Sequence, residues 1–352
     1  MPIFDFFGKK RVLGIDLGSK HIKIVETQKV DQHLKLLNYS IVSLSWSEKL
    51  GRLLDTPQTF EDNLGQLLIE ATKPMKTRDC VFVLPATLLF SSFFSLPLIA
   101  EKNLASAITY ETSKYIPVSA EEIELSWRAF QFQNPYQGGQ ARWLIFLVAA
   151  PKSLIEKFKN ASLIANLNFK QAVPDFFSIE PFLTDTAPKV IVDIGNSFSL
   201  FLVFHRGKII YGKKLQFKLS DIIQIISRLM NVNFDRAEEV LLERGLAIPP
   251  EEDEMRTTVF NVIDQFVSEL QQNLSDVEEK FNIKVEQLLF TGGMTLLPSF
   301  EEVMVKRFTN ITFGLLDPFE RVELPEKFKS SGLRRGQIFT QALGACVKYF
   351  FE

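Results

Sequence analysis

Short apolar runs alternate with helical stretches along this chain, and their order occurs twice. Val12–Ile15 is apolar, ends at the turn Asp16-Leu17-Gly18-Ser19, and is followed by a second strand pattern, Ile22–Glu26, and a third around Leu34–Leu44. Helical spacing then takes over in Phe60, Leu64, Leu67, Leu68 and Ala71, and Val81–Leu84 returns to a strand. In the second half, Val190–Val192 leads into Asp193-Ile194-Gly195-Asn196-Ser197, then into strand patterns at Leu200–Phe204 and Ile209–Leu215. Helices are predicted over Asp221–Met230, Asp235–Glu243 and about Glu252–Phe281. Gln287–Phe290 is a strand running into Thr291-Gly292-Gly293, and helices near Pro298–Phe308 and Gly336–Phe351 follow. The two Asp turns lie about half the 352-residue chain apart, which points to an internal duplication.

Between the two halves the rhythm changes. Leu104, Ala107, Ile108 and Glu111 mark a helix that ends before Pro117. Glu124–Gln133 and Arg142–Val148 read as strands joined by the hairpin loop 134–139, and Pro151 opens a helix carrying Leu154, Ile155, Phe158, Ala161 and Leu163. This is a compact insertion, too small to be comfortable as an independent domain.

Composition narrows the function. Phe numbers 33 against six Tyr and three Trp, so the aromatic content serves buried strands and apolar contacts more than polar recognition or base stacking. A formal net charge of −2 argues against a general nucleic-acid binder. The two Cys are far apart and the three His form no close-spaced set, so neither a zinc site nor a disulfide framework is expected. Cys80–Ala100 is uncharged and long enough to span a bilayer. Its Pro85, Pro97, Thr87, Ser91, Ser92 and Ser95 favour two strands around a turn instead. The start, MPIFDFFGKK, lacks the apolar length of a signal peptide, so a cytoplasmic chain is expected. Phe4, Phe6 and Phe7 before Lys9, Lys10 and Arg11 are a candidate contact with a partner or a membrane surface, or a tail packed on its own domain.

Three glycine turns carry the candidate chemistry. In Asp16-x-Gly18-Ser19-Lys20 and Asp193-x-Gly195-Asn196-Ser197, Gly permits a tight hairpin whose amides can cradle phosphate oxygens. Asp16 and Asp193 each offer a hard oxygen for Mg²⁺, usually through water. Gly292-Gly293-Met294, between strand and helix, lets a base or ribose lie against the backbone. The plainer reading of any one of them is a turn without a ligand.

This constellation resembles the actin, Hsp70 and sugar kinase superfamily, with two phosphate motifs and an adenosine motif. The inserted unit looks like the extra subdomain of FtsA and of the PilM family of type IV pilus assembly proteins. Leu96-Pro97, Ile108-Thr109-Tyr110-Glu111, Tyr115-Ile116-Pro117, Leu147–Lys152, Ile179-Glu180-Pro181-Phe182, the Phe-Gly-Lys-Lys start and Ala342-Leu343-Gly344 are similar to PilM, over essentially the whole chain.

The resemblance implies an α/β chain of actin/Hsp70-like duplicated ribonuclease H-type domains with an FtsA-like inserted subdomain. The first core subdomain would be 1–84, 151–187 and 332–352, and the insertion 85–150. The second core subdomain would be 188–218 and 270–331, with a helical subdomain at 219–269 flanking a nucleotide cleft. It implies ATP and Mg²⁺ bound through Asp16, Gly18, Ser19, Lys20, Asp193, Gly195, Asn196, Ser197, Glu238, Gly292, Gly293 and Met294. Glu180 would be a base toward water, or a surface or capping residue before Pro181. Two departures put ATP affinity and turnover in doubt. Leu215-Gln216 stands where the family carries Gly-Gly, and Leu241 where it carries Lys.

The implied role is a cytoplasmic scaffold on the inner face of the membrane, peripherally associated, that holds the N-terminal tail of a PilN-like membrane protein. Self-assembly into a ring or filament and a contact with the pilus motor ATPase are further implied partners; nucleic acid is not. The peptide would run beside Phe93, Phe94, Leu96 and Ile108, unless these are core residues. Two rivals stay open. One is a small-molecule kinase, since Asp193-x-Gly-Asn resembles one pantothenate kinase type, with Asp175 as its candidate base. The other is an FtsA-like polymerising tether, which needs a C-terminal amphipathic helix.

Overall fold

The computed structural model describes residues 10–44, 57–116, 118–133, 140–249, 252–329 and 336–352. The N-terminal Phe cluster, the 134–139 loop and Pro117 lie outside them. The strands are β1 (Arg11–Leu17), β2 (His21–Val30), β3 (His33–Ser43), β4 (Asp79–Leu84), β5 (Phe90–Pro97), β6 (Ile123–Gln133), β7 (Ala141–Pro151), β8 (Asn168–Pro174), β9 (Lys189–Ile194), β10 (Ser199–His205), β11 (Lys208–Leu215), β12 (Gln287–Gly292), β13 (Thr312–Leu315) and β14 (Val322–Glu323). The main helices are α1 (Pro57–Thr72), α2 (Leu104–Thr112), α3 (Lys152–Ile164), α4 (Leu219–Met230), α5 (Phe234–Arg244), α6 (Asp253–Phe281), α7 (Phe300–Val305) and α8 (Thr340–Phe351). The uncharged stretch is the two strands β4 and β5, as its polar and Pro residues require. Among the described residues no helix is long and apolar enough to cross a membrane.

The chain divides into two compact units. The first comprises Met1–Pro85, Leu154–Phe182 and Asp317–Glu352; the second comprises Ala86–Ser153 and Leu183–Leu316. The insertion therefore groups with the second unit. Residues 317–329, assigned from sequence to the second core, belong to the first because β14 pairs with β3.

The first unit holds a sheet ordered β14-β3-β2-β1-β4-β8. β1, β2 and β3 pair antiparallel, and β1-β4 and β4-β8 pair parallel. Apolar β1 is buried on both faces, with Val12, Leu13, Ile15 and Leu17 fully covered. α8 lies directly on it. A Cβ on Gly14 would come 2.2 Å from the Ala342 carbonyl, and one on Gly344 would come 1.7 Å from that of Ser178. Gly14 sets the helix-to-sheet distance, and Gly344 the approach of α8 to the short helix Asp175–Ser178. Phe60, Phe82 and Phe158 stack beside β4, with ring centroids 5.6–5.7 Å apart.

The second unit holds a sheet ordered β11-β10-β9-β12-β13, with β9, β10 and β11 antiparallel and β12 and β13 parallel. It repeats the senses of β3-β2-β1-β4-β8. Phe290 anchors its core against Phe300 and Phe313, and Phe217 stacks on Phe266 of α6 at 4.1 Å. The same unit contains the antiparallel sheet β5-β7-β6. Much of the Phe excess is thus core filling. Sequence patterning missed β8, β13 and β14. Each is short or half exposed at a sheet edge, so neither alternation nor a long apolar run marks it.

Candidate functional site

Each unit carries one Asp turn. In the first unit Asp16 ends β1, and the β1–β2 register puts Lys23 across from it. Lys23 Nζ donates to Asp16 Oδ2 at 2.8 Å, and the Asp is 7% exposed. Lys23 was not among the residues expected from sequence. Its place follows from the cross-strand register, which the turn motif alone does not state. Lys20 is buried, and its carbonyl accepts from Leu44 N at 2.7 Å. Burial, and then the charges of Lys23 and Lys20, push His21 down to about 4, so it is neutral at pH 7. A Cβ on Gly18 would lie 2.7 Å from the His21 carbonyl; this hairpin can be built only with Gly there. The turn thus pairs Lys23 with the Asp16 carboxylate, adds a second, buried lysine in Lys20, and carries a net positive charge, which suits an anion.

In the second unit Asp193 ends β9, and the residue across from it is Leu200, 1% exposed. Gly195 N donates to the Phe198 carbonyl at 3.1 Å and closes the hairpin. The first amides of α4 are spent on this turn: Leu219 N reaches Gly195 O at 3.1 Å, and Ser220 N reaches Asn196 O at 3.0 Å. Those bonds fix the turn to the start of α4. Both Asn196 amide atoms, Oδ1 and Nδ2, are buried without a hydrogen-bond partner. A buried primary amide in that state costs free energy. A polar ligand group there would satisfy it, so this turn fits the phosphate part of a nucleotide.

Gly292 follows on β12, which pairs with β9 so that Thr291 stands beside Asp193. Its φ is +90°, and a Cβ there would meet Asp193 Oδ1 at 2.3 Å. Gly293 faces open space. Met294, expected at the ligand, is fully buried in the core, because the turn rotates it inward; only its backbone is available. Thr295 Oγ1 donates to the Gly292 carbonyl at 2.7 Å and holds the turn.

Glu238 sits half-buried on α5, one residue past the buried Ala237. Of the departures, Leu215 and Leu241 are core positions, 4% and 2% exposed. Gln216 is exposed, and its amide donates to Glu269 Oε1 at 3.2 Å. Glu180 is 9% exposed, and its Oε2 lies 3.1 Å from Lys348 Nζ, with Glu352 on the same ammonium. This carboxylate ties α8 to the 180–182 turn, which is neither the surface position nor the capping role weighed from sequence. Asp175 is buried, and its Oδ1 accepts from Phe176 N at 2.7 Å. Among the described residues no three His, Cys, Asp or Glu side chains come together as a metal set. A Mg²⁺ that keeps most of its water needs fewer protein ligands than that.

The four residues expected at a peptide separate by face. Phe94, Leu96 and Ile108 are 5%, 6% and 0% exposed and pack with Leu104, Trp143 and Ile145. They are core under α2. Phe93 points to the other face of β5 and meets Tyr211 and Phe281 edge to face. What α2 leaves outward is Tyr110, 75% exposed. Tyr115, 45% exposed, stacks on Phe94 at 4.7 Å, and Leu98 is 52% exposed.

The profile of the family described as type IV pilus assembly protein PilM matches residues 14–350. The chain is similar to a solved structure described as the PilM–PilN type IV pilus biogenesis complex. Identity is 18% over 97% of this chain and 99% of that one, with a TM-score of 0.77. It is also similar to ethanolamine utilization protein EutJ from Carboxydothermus hydrogenoformans, at 13% identity over 97% and 91% of the two chains and a TM-score of 0.52. At these identities the structural likeness speaks for the fold, and the profile for the family. The chain has the actin-like ATPase fold and belongs to the family of the type IV pilus assembly protein PilM.

Proposed function

We propose that this protein is a cytoplasmic scaffold of a type IV pilus, or related secretion, platform at the inner membrane. It holds the cytoplasmic N-terminal tail of a PilN-like membrane protein. The observation that carries this reading is the family match over residues 14–350, joined to a fold shared along 97% of the chain with a PilM–PilN complex. The tail lies on Tyr110, Tyr115 and Leu98, apolar groups left exposed around α2. Phe94, Leu96 and Ile108 shape that surface from beneath. An extended peptide anchoring alternate side chains suits such a surface.

The two sheets of equal order are read as ribonuclease H-type copies, and their Asp turns as the phosphate sites of ATP. Ser19, Lys20, Lys23, Asn196 and Ser197 would hold phosphate oxygens, and Gly292 and Gly293 the nucleoside. Asp16 and Asp193 would hold Mg²⁺ through water. The metal would neutralise phosphate charge. Hydrolysis is weak or absent, because Glu180 is engaged by Lys348 and offers no base to a water. Self-assembly and a contact with a motor ATPase are compatible partners of such a scaffold.

The test is titration of the full chain with the tail peptide of the PilN-like protein made in the same cell. Saturable binding that falls about tenfold in Tyr110→Ala supports the reading. Binding unchanged in both Tyr110→Ala and Tyr115→Ala removes the surface, and no binding by the wild type removes the role.

A further inference from the structure

The sheet β5-β7-β6 has a second face, which the tail-binding reading does not use. Strand register fixes its members: Phe93 opposite Phe146, Ser95 opposite Leu144, and Arg142 opposite Phe132. At one end of this face lies a cavity of about 440 Å³ lined by Phe93, Ser95, Phe132, Arg142, Lys280 and Phe281 among others. All of it belongs to the second unit.

Two cations line this cavity, and among the described residues neither pairs with a carboxylate. The Lys280 ammonium lies 4.3 Å from the centroid of the Phe93 ring, 5.0 Å from Tyr211 and 5.7 Å from Phe281. Lys280 as a whole is exposed, and partial desolvation of its ammonium beside these rings pushes it below the usual lysine range. Arg142 donates from Nε to Ser95 Oγ at 3.1 Å and from Nη2 to the Ser95 carbonyl at 3.5 Å, which fixes the plane of its guanidinium. Lys159 in α3 and Lys114 just past α2 each take a Glu three residues before them. Lys280 has no such partner among the described residues.

A cation taken partly out of water costs free energy until an anion joins it. Rings beside the Lys280 ammonium, with the exposed Arg142 guanidinium lining the same cavity, suit an anion carried on an apolar body. The negative end of α6 stands at the same place, since Lys280 and Phe281 are its last two residues. That dipole disfavours any anion, and a multiply charged phosphate more than a single carboxylate. The volume is in the lower part of the range for small-ligand pockets. It takes one acidic side chain and an apolar neighbour, not a helix.

We propose that this cavity docks an acidic peptide segment of a partner protein, in which a Glu or Asp stands beside a bulky apolar residue. The carboxylate pairs with Lys280 and Arg142, and the apolar side chain lies against Phe93, Phe132 and Phe281.

The test uses the full chain. A random short-peptide library is selected on the wild type and on the double variant Lys280→Met, Arg142→Gln. The expected result is enrichment of an acidic residue next to an aromatic or aliphatic one on the wild type only. The best peptide, made with Gln for its acid, should bind about tenfold more weakly to the wild type and equally to the variant. Circular dichroism and melting check the fold, and Lys280→Met should melt no lower than wild type, since it removes a poorly solvated charge. No acidic enrichment on the wild type, or the same enrichment on the variant, overturns the proposal. Competition by free phenylpropionate as strong as the peptide itself would overturn the peptide in favour of a small carboxylate.

Discussion

The two Asp turns share a backbone and differ in what stands across from the Asp. Opposite Asp16 is Lys23, bonded to it at 2.8 Å; opposite Asp193 is Leu200, a core residue. The first turn is electrostatic, with Lys23 paired to the carboxylate and the charges of Lys23 and Lys20 acting on His21. The second is a hydrogen-bonding turn, with α4 amides fixing its carbonyls and the Asn196 amide buried without a partner. Duplicating a sheet has therefore not duplicated its chemistry. A phosphate would meet charge at one turn and donors at the other.

The largest expected effect falls on Gly292. Gly292→Ala places a methyl at φ +90° and 2.3 Å from Asp193 Oδ1, and should cost about 3 kcal/mol of stability. Gly293→Ala, next to it in open space, should cost less than about 0.5 kcal/mol. Urea melts of the pair measure this directly. Equal effects would mean that the turn is not held against Asp193.

Lys23→Leu gives the first turn the partner found in the second. It leaves a nearly buried carboxylate without its ammonium and should lower stability by about 2 kcal/mol. That is below the range for a fully buried pair, because Lys23 keeps some solvent exposure. Unchanged stability would show that the ion pair is incidental.

His21 gives the same turn a pH signature. Its folded value, about 4, lies below the ordinary 6.5, so the unfolded chain binds the extra proton first. The contribution is fully present above pH 6.5 and is lost as pH falls toward 4, on the order of 2 kcal/mol. His21→Gln should flatten that part of the stability–pH curve. Lys23→Leu should narrow it, since Lys23 is one cause of the depression. A curve identical in all three proteins would contradict the electrostatic reading of this turn.

Asn196→Ala should act in opposite directions on stability and binding. Removing an unsatisfied buried amide should raise stability by about 1 kcal/mol and weaken ATP binding. A loss of both would identify Asn196 as a structural residue.

Much of this fold was legible in the sequence, because apolar runs ending in Asp-x-Gly are strong local signals and occurred twice. The edge strands β8, β13 and β14 were not, since half-exposed edges lack a pattern. At the site, the turns and Gly292-Gly293 were legible, but their side-chain partners were not. Lys23 depends on cross-strand register, which a turn motif does not state. The expected peptide residues show the opposite error. Leu104, Ile108 and Thr112, four residues apart, form the buried stripe of α2, so the periodicity that revealed the helix also marked Ile108 as core. The exposed Tyr110 lay between them.

The account rests on this chain being a binding scaffold and not a catalyst. One experiment tests that directly: calorimetric titration of the full chain, with Mg²⁺–ATP present, by the cytoplasmic tail peptide of the PilN-like protein from the same cell, while phosphate release is followed in the same sample. The account predicts saturable tail binding, weakened in Tyr110→Ala, with phosphate release at or near background. Absence of tail binding together with steady ATP turnover would contradict it.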